Sequence, residues 1–145
     1  MRQVLSFCSF ALLLLALFLP GCGPPKGVKI EGTIVKGGQP FPLPQGATLN
    51  LAFKGKGFKG EDATFAAEVS PNGSFVVNGA NDRGIPPGKY VLSVNLTLAS
   101  TDPAALARME EINRQFAAIN GKEAEISSAA NQKITIDIAN GTVSK

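Results

Sequence analysis

Apolar residues recur at every second position in short runs along this chain, and the runs are bounded by turn residues, glycine and proline prominent among them. Tyr90, Leu92, Val94, Leu96 and Leu98 alternate with Val91, Ser93, Asn95 and Thr97. Val28, Ile30 and Ile34 share one parity, with Gly32 in the place between, and Leu49, Leu51 and Phe53 alternate with Thr48, Asn50 and Ala52. Phe65, Ala67 and Val69, then Phe75 and Val77, then Ile134, Ile136 and Ile138 repeat the pattern. Side chains on a strand point to opposite faces in turn, so a period of two predicts strands with one buried face. Several such runs at regular spacing predict an all-β, antiparallel sandwich.

The punctuation fits that reading. Lys36-Gly37-Gly38-Gln39 allows positive φ after the first strand. Pro71-Asn72-Gly73-Ser74 suits a primed or glycine-containing tight turn. Ile85-Pro86-Pro87-Gly88 is an extended entry and a turn into the Tyr90 run, while Phe41-Pro42-Leu43-Pro44 is too proline-rich for a central strand.

One segment changes period. Asp102 or Thr101 can cap a helix with Pro103 in its first position, where the missing N–H costs nothing. Ala105, Met109, Ile112, Phe116 and Ile119 then share a narrow arc at 3.6 residues per turn. Glu110 and Arg114 stand one turn apart, and Asn120-Gly121 supplies a stop. The expectation is one inserted helix over about 103–120. Lys122 to Gln132 reads as a polar, mobile return loop before a last strand at Ile134.

The N-terminus is organised differently. Arg2 precedes an apolar run from Val4 to Leu19, which breaks at Leu19-Pro20-Gly21-Cys22. This is the shape of an export signal, set aside from fold reasoning, and it is short for a membrane span, which needs roughly 20 apolar residues. A leucine three places before Cys22 and a glycine just before it resemble the lipobox of bacterial lipoproteins. That resemblance implies a diacylglycerol on the Cys22 thiol, cleavage before it, and acylation of the new amine. The alternative is an ordinary secretory signal with a chance cysteine. The chain then divides into a signal (1–21), a Gly/Pro-rich tether (22–27) and one domain (28–145) with its helical insertion (102–121). Gly23 in place of an aspartate favours outer-membrane over inner-membrane placement.

Cys8 leaves with the signal, so Cys22 is the sole cysteine of the mature chain and has no intramolecular partner. There is no histidine and no tryptophan. Most nucleophilic and metal-site constellations therefore cannot be built, and no catalytic, metal or cofactor site is expected. The formal charge of +3 includes Arg2; losing it leaves a nearly balanced domain, unlike the concentrated basic face of a nucleic-acid binder.

Taken in order, several pieces resemble the carboxypeptidase-regulatory-like or transthyretin-like (prealbumin-like) domain. They are Glu31-Gly32-Thr33-Ile34-Val35, Gly38-Gln39-Pro40-Phe41, Leu49 to Phe53, Asn72-Gly73-Ser74-Phe75-Val76 and Ile85-Pro86-Pro87-Gly88-Lys89-Tyr90 to Val94. The resemblance covers about Val28 to Leu98. It implies a Greek-key sandwich of about seven strands, Tyr90 turned inward near its strand's start, a special turn at Gly88, and a non-catalytic module. The inserted helix is a departure that leaves the last strand's place open.

Three further clusters bear on function. Lys54, Lys56 and Lys59 lie among glycines around Phe58, either an anion-contact loop or a flexible hairpin kept soluble by lysines. Met109, Ile112, Phe116 and Ile119 either pack on the sandwich or offer a face to a partner protein. Asn78, Asn81 and Asp82 bear oxygens but are poor in carboxylates for calcium and read as a turn. Glu110, Glu111, Glu123 and Glu125 read as solvated charges. The leading expectation is a lipid-anchored, non-enzymatic envelope protein acting as a structural or protein-interaction module, its partners being the membrane through the lipid and, in the second role, an envelope protein. The alternative is a small-ligand or carbohydrate-binding surface module, against which the scarcity of aromatics weighs.

Overall fold

The computed structural model describes residues 25–145; the expected signal, Cys22 and the start of the tether lie outside the described residues. The elements are β1 (Lys29–Lys36), β2 (Gln39–Pro40), β3 (Ala47–Lys56), β4 (Asp62–Ala66), β5 (Glu68–Val69), β6 (Ser74–Val77), β7 (Gly88–Leu98), the helix α1 (Pro103–Phe116), β8 (Glu123–Ile126), β9 (Asn131–Asp137) and β10 (Thr142–Ser144). One sheet has the order β10-β9-β1-β6-β5, with β2 paired to β1; the other is β4-β3-β7-β8. The molecule is an all-β sandwich with one helix, as the alternation predicts. The chain changes sheets between β4 and β5, where the Ala67 N–H donates to Leu51 O at 2.8 Å.

The core is built by the expected parity. Ile30, Ile34, Leu49, Leu51, Phe53, Phe75, Val77, Tyr90, Leu92, Val94, Leu96, Ile134, Ile136 and Ile138 are buried together. Phe53 meets Phe75 and Tyr90 at centroid separations of 6.3 and 6.4 Å, within the range of favourable tilted and edge contacts. The glycine between Ile30 and Ile34 has a packing reason. A Cβ on Gly32 would lie 2.1 Å from the Phe75 ring.

Four departures from the sequence expectation have physical causes. Glu123–Ile126 is a strand rather than part of a mobile loop, because Ala124 and Ile126 enter the core while Glu123 and Glu125 face solvent. Gln132 is buried at the start of β9; it accepts from Ser127 N and Oγ at 2.9 and 3.1 Å and donates to Glu125 O at 3.1 Å. Second, β9 is not the last strand, since β10 follows it. Third, β9 lies parallel to β1, from Lys29 opposite Asn131 to Val35 opposite Asp137, among otherwise antiparallel pairings. Fourth, the helix ends at Phe116 and not near residue 120. Asp102 caps it through Ala104 N, with Pro103 first, as expected. Arg114 pairs with Glu111 rather than Glu110, and Glu111 also accepts from Gln115 at 3.3 Å.

The turn of the chain after Phe116 satisfies the open edge of β7. β8 covers only Gly88–Val91. Beyond it, Leu92 N donates to Lys122 O at 2.9 Å and Gly121 N to Leu92 O at 3.0 Å. The side-chain amide of Asn120 then accepts from Val94 N at 2.6 Å and donates to Val94 O at 3.0 Å. Asn113 does the same for Leu96, at 2.8 and 2.9 Å. Two side chains thus stand in for a neighbouring strand.

At the far end, Gly37 and Gly38 take positive φ as the turn requires. Asp137 accepts from Gly37 N, Ala139 N and Asn140 Nδ2. The Gly37 N–H chiefly, against a smaller opposing effect of burial, holds this carboxyl below the usual carboxylate range. Its contribution to stability is therefore present above that range and is lost as the pH falls through it.

Two outcomes follow. Asn113→Ala and Asn120→Ala each leave a β7 peptide without partners and are expected to cost about 1–3 kcal/mol in urea unfolding; Asn113→Asp, which keeps the acceptor and loses the donor, should fall between wild type and alanine. Gly32→Ala is expected to cost about 1–3 kcal/mol through overpacking against Phe75, read from the same unfolding midpoints.

Candidate functional site

Candidate side chains converge at the end of the sandwich where the N-terminal segment joins it. β1 begins there, and Val28 pairs with Ile85 through Val28 N to Ile85 O at 2.8 Å and Ile85 N to Val28 O at 2.9 Å. Gly27 N also donates to Arg83 O at 2.8 Å. This stitch needs two glycines, since a Cβ on Gly27 or Gly84 would lie within 2.7 Å of the opposing backbone. The expected tether therefore ends before Gly27, which is already fixed to the domain.

Tyr90 joins this stitch to the lysine loop. Its ring is 1% exposed, and its hydroxyl donates to Pro86 O at 2.6 Å, with Lys56 O at 3.3 Å. A phenol bonded to the backbone four residues upstream, near the start of its strand, is the arrangement of the tyrosine corner in Greek-key sandwiches. A Cβ on Gly55 would lie 2.6 Å from the same ring, so β3 must carry glycine there for Tyr90 to enter. Burial pushes the phenol up to about 12. Gly88 takes φ +155°, consistent with the special turn expected before Tyr90.

Lys54 and Lys56 project outward from β3, and Lys59 lies in the loop to β4; all three are exposed. Their local order comes from two acids. Lys56 Nζ bonds Asp62 Oδ1 at 2.6 Å, which holds the Asp62 carboxyl below its ordinary range, chiefly by that hydrogen bond and then by charge. Glu61 Oε2 accepts from Lys59 N at 2.9 Å, and Gly57 N donates to Glu61 O at 2.8 Å. The loop is thus a closed turn that leaves Phe58 38% exposed.

The other sequence candidates fall elsewhere. Ile112, Phe116 and Ile119 are buried in the core and Met109 packs against it, so that stripe is an internal contact and not a free face. Glu110, Glu111, Glu123 and Glu125 are exposed on the helix and β8. Asn81 and Asp82 adopt left-handed φ of 54° and 55°, conformations that Asn and Asp tolerate, in a turn held by backbone bonds. Among the described residues no three His, Cys, Asp or Glu side chains converge as metal ligands would. Lys26, Lys29 and Arg83 join the lysine loop at this end and were not readable as a group, because they come from segments far apart in sequence.

No family model, curated protein or solved structure matches this chain.

The chain has one tyrosine and no tryptophan, so phenolate absorbance reports Tyr90 alone. Its titration midpoint is expected near pH 12 in the folded protein and near the ordinary value of about 10 in denaturant. The unfolded chain gives up its proton first, so this group leaves stability unchanged below pH 10 and lowers it as the pH rises from there. A folded midpoint at the ordinary value would contradict the buried hydroxyl.

Proposed function

We propose that this chain is a bacterial lipoprotein, anchored through acylated Cys22, whose β-sandwich is a non-enzymatic structural or protein-interaction module of the cell envelope. The observation that carries the reading is Leu19-Pro20-Gly21-Cys22 at the end of an apolar run. Each buried methylene contributes roughly 0.8 kcal/mol, so several acyl chains on one residue anchor stably where one does not. No helix among the described residues is long and apolar enough to cross a membrane. An inward Tyr90 and a positive φ at Gly88 support the transthyretin-like resemblance. Gly23 after the cysteine favours the outer membrane.

A small-ligand module is the second reading, favoured by an open cleft of about 400 Å³ between α1 and the β3–β7 end of the sheet. Its lining includes Pro44, Leu98, Asp102, Arg108 and Met109. It offers no aromatic platform for a sugar.

Cells grown with a labelled fatty acid should incorporate it into this protein, and the mature mass should correspond to a chain starting at Cys22 with its acyl groups. Cys22→Ala should abolish the label and leave the signal uncleaved. An unlabelled mature protein from the wild-type gene would overturn the anchor. Crosslinking in intact cells reads the interaction role directly, through partners recovered with wild type and lost with Cys22→Ala.

A further inference from the structure

Resting on the anchor reading above, we propose that the end of the sandwich at Gly27 is a second membrane contact. It binds anionic phospholipid headgroups and inserts Phe58 at the interface, fixing how the domain stands on the bilayer. Five residues lie between Cys22 and Val28, six steps of chain with a reach of at most about 20 Å, and Val28 is stitched to Ile85. Whatever surrounds Val28 is therefore held within reach of the headgroups.

What surrounds it is suited to them. Lys26, Lys29, Asp82 and Arg83 border an open depression beside the N-terminal segment. Among the described residues the ion-paired cations are Lys56 and Arg114, so Lys26, Lys29, Arg83 and Lys59 have no acidic partner. Register brings the lysine loop to the same end: Lys54 lies opposite Val91, so Lys56 stands by the start of β7, and Tyr90 links Lys56 O to Pro86 O beside the Val28–Ile85 stitch. Phe58, one of two large apolar residues exposed among the described residues, projects there between Lys56 and Lys59. An aromatic flanked by cations is the composition of an interfacial contact, and cations next to an anchor are drawn to anionic lipid. Glu61 and Asp62 offset two of the loop's three lysine charges, and Asp82 one of those at the depression, so this end keeps a net positive charge from Lys26, Lys29, Arg83 and the loop.

The test uses the full chain, processed by the cell and reconstituted into vesicles. Because the sequence has no tryptophan, Phe58→Trp supplies a single reporter, and Gln45→Trp supplies one at the opposite end. With brominated phospholipids and phosphatidylglycerol present, Phe58→Trp emission should be quenched about twofold or more and shifted to the blue, with Gln45→Trp unaffected. Adding Lys29→Glu, Lys59→Glu and Arg83→Glu, or using phosphatidylcholine alone, should remove most of that quenching. The high Tyr90 midpoint, retained in each variant, shows that the fold is intact. Equal responses from the two reporters, or quenching indifferent to lipid charge, would overturn the contact while the mass of the acylated protein still supports the anchor. A mature protein of unacylated mass overturns both.

Discussion

The second edge of β7 is the constraint on which much of the architecture depends. This strand is the longest among the described residues, and β3 satisfies one side of it from Val91 to Leu98. A buried peptide without a partner is costly, so the other side needs a donor and an acceptor at every second residue. β8 is too short to provide them. Two asparagines complete the edge, and they explain why the helix stops at Phe116. In a continuous helix residues 113 and 120 would be displaced by about 10 Å along the axis, whereas the Val94 and Leu96 peptides are about 7 Å apart. Ending the helix early folds Asn120 back to the spacing of a strand, and the same turn delivers Gly121 and Lys122 to Leu92.

The paired glycines and aromatic rings set the other end. Gly32 makes room for Phe75, and Gly55 makes room for Tyr90. Because the Tyr90 hydroxyl reaches Pro86 and Lys56, the interior, the loop before β7 and the end of β3 share one hydrogen-bonded junction. A single buried phenol therefore couples the position of the lysine loop to the place where the N-terminal segment enters. No disulfide is required for this; packing and one polar bond suffice.

The strands that carry the core were legible because half-burial writes itself as alternation, and the helix because Ile112, Phe116 and Ile119 keep a different period. β8 was not, since Glu123-Ala124-Glu125-Ile126 buries two small or medium side chains inside a polar stretch and its pairing is set by β7. The parallel match of β1 with β9 was not legible either, because local sequence specifies a face and not a neighbour. Asn113 and Asn120 look like ordinary polar helix positions until the strand they serve is in place. Of the candidate site, Lys54, Lys56, Lys59 and Phe58 were visible as a cluster. Lys26, Lys29 and Arg83 join them only through topology.

That parallel match has a mechanical consequence for an anchored domain. β1, the strand nearest the proposed lipid, is not at an edge: β6 pairs with it on one side and β9 on the other. Val28, just before it, is bonded to Ile85. A pull on the N-terminal segment along the strand therefore loads two ladders in shear together, rather than opening an edge strand one hydrogen bond at a time. An edge attachment would allow β1 to peel off and expose its neighbour's unpaired backbone, which is a route to aggregation. By returning β9 beside β1 after the helix, the chain encloses its own point of attachment, so the segment that must bear on the membrane is also among the best held in the fold.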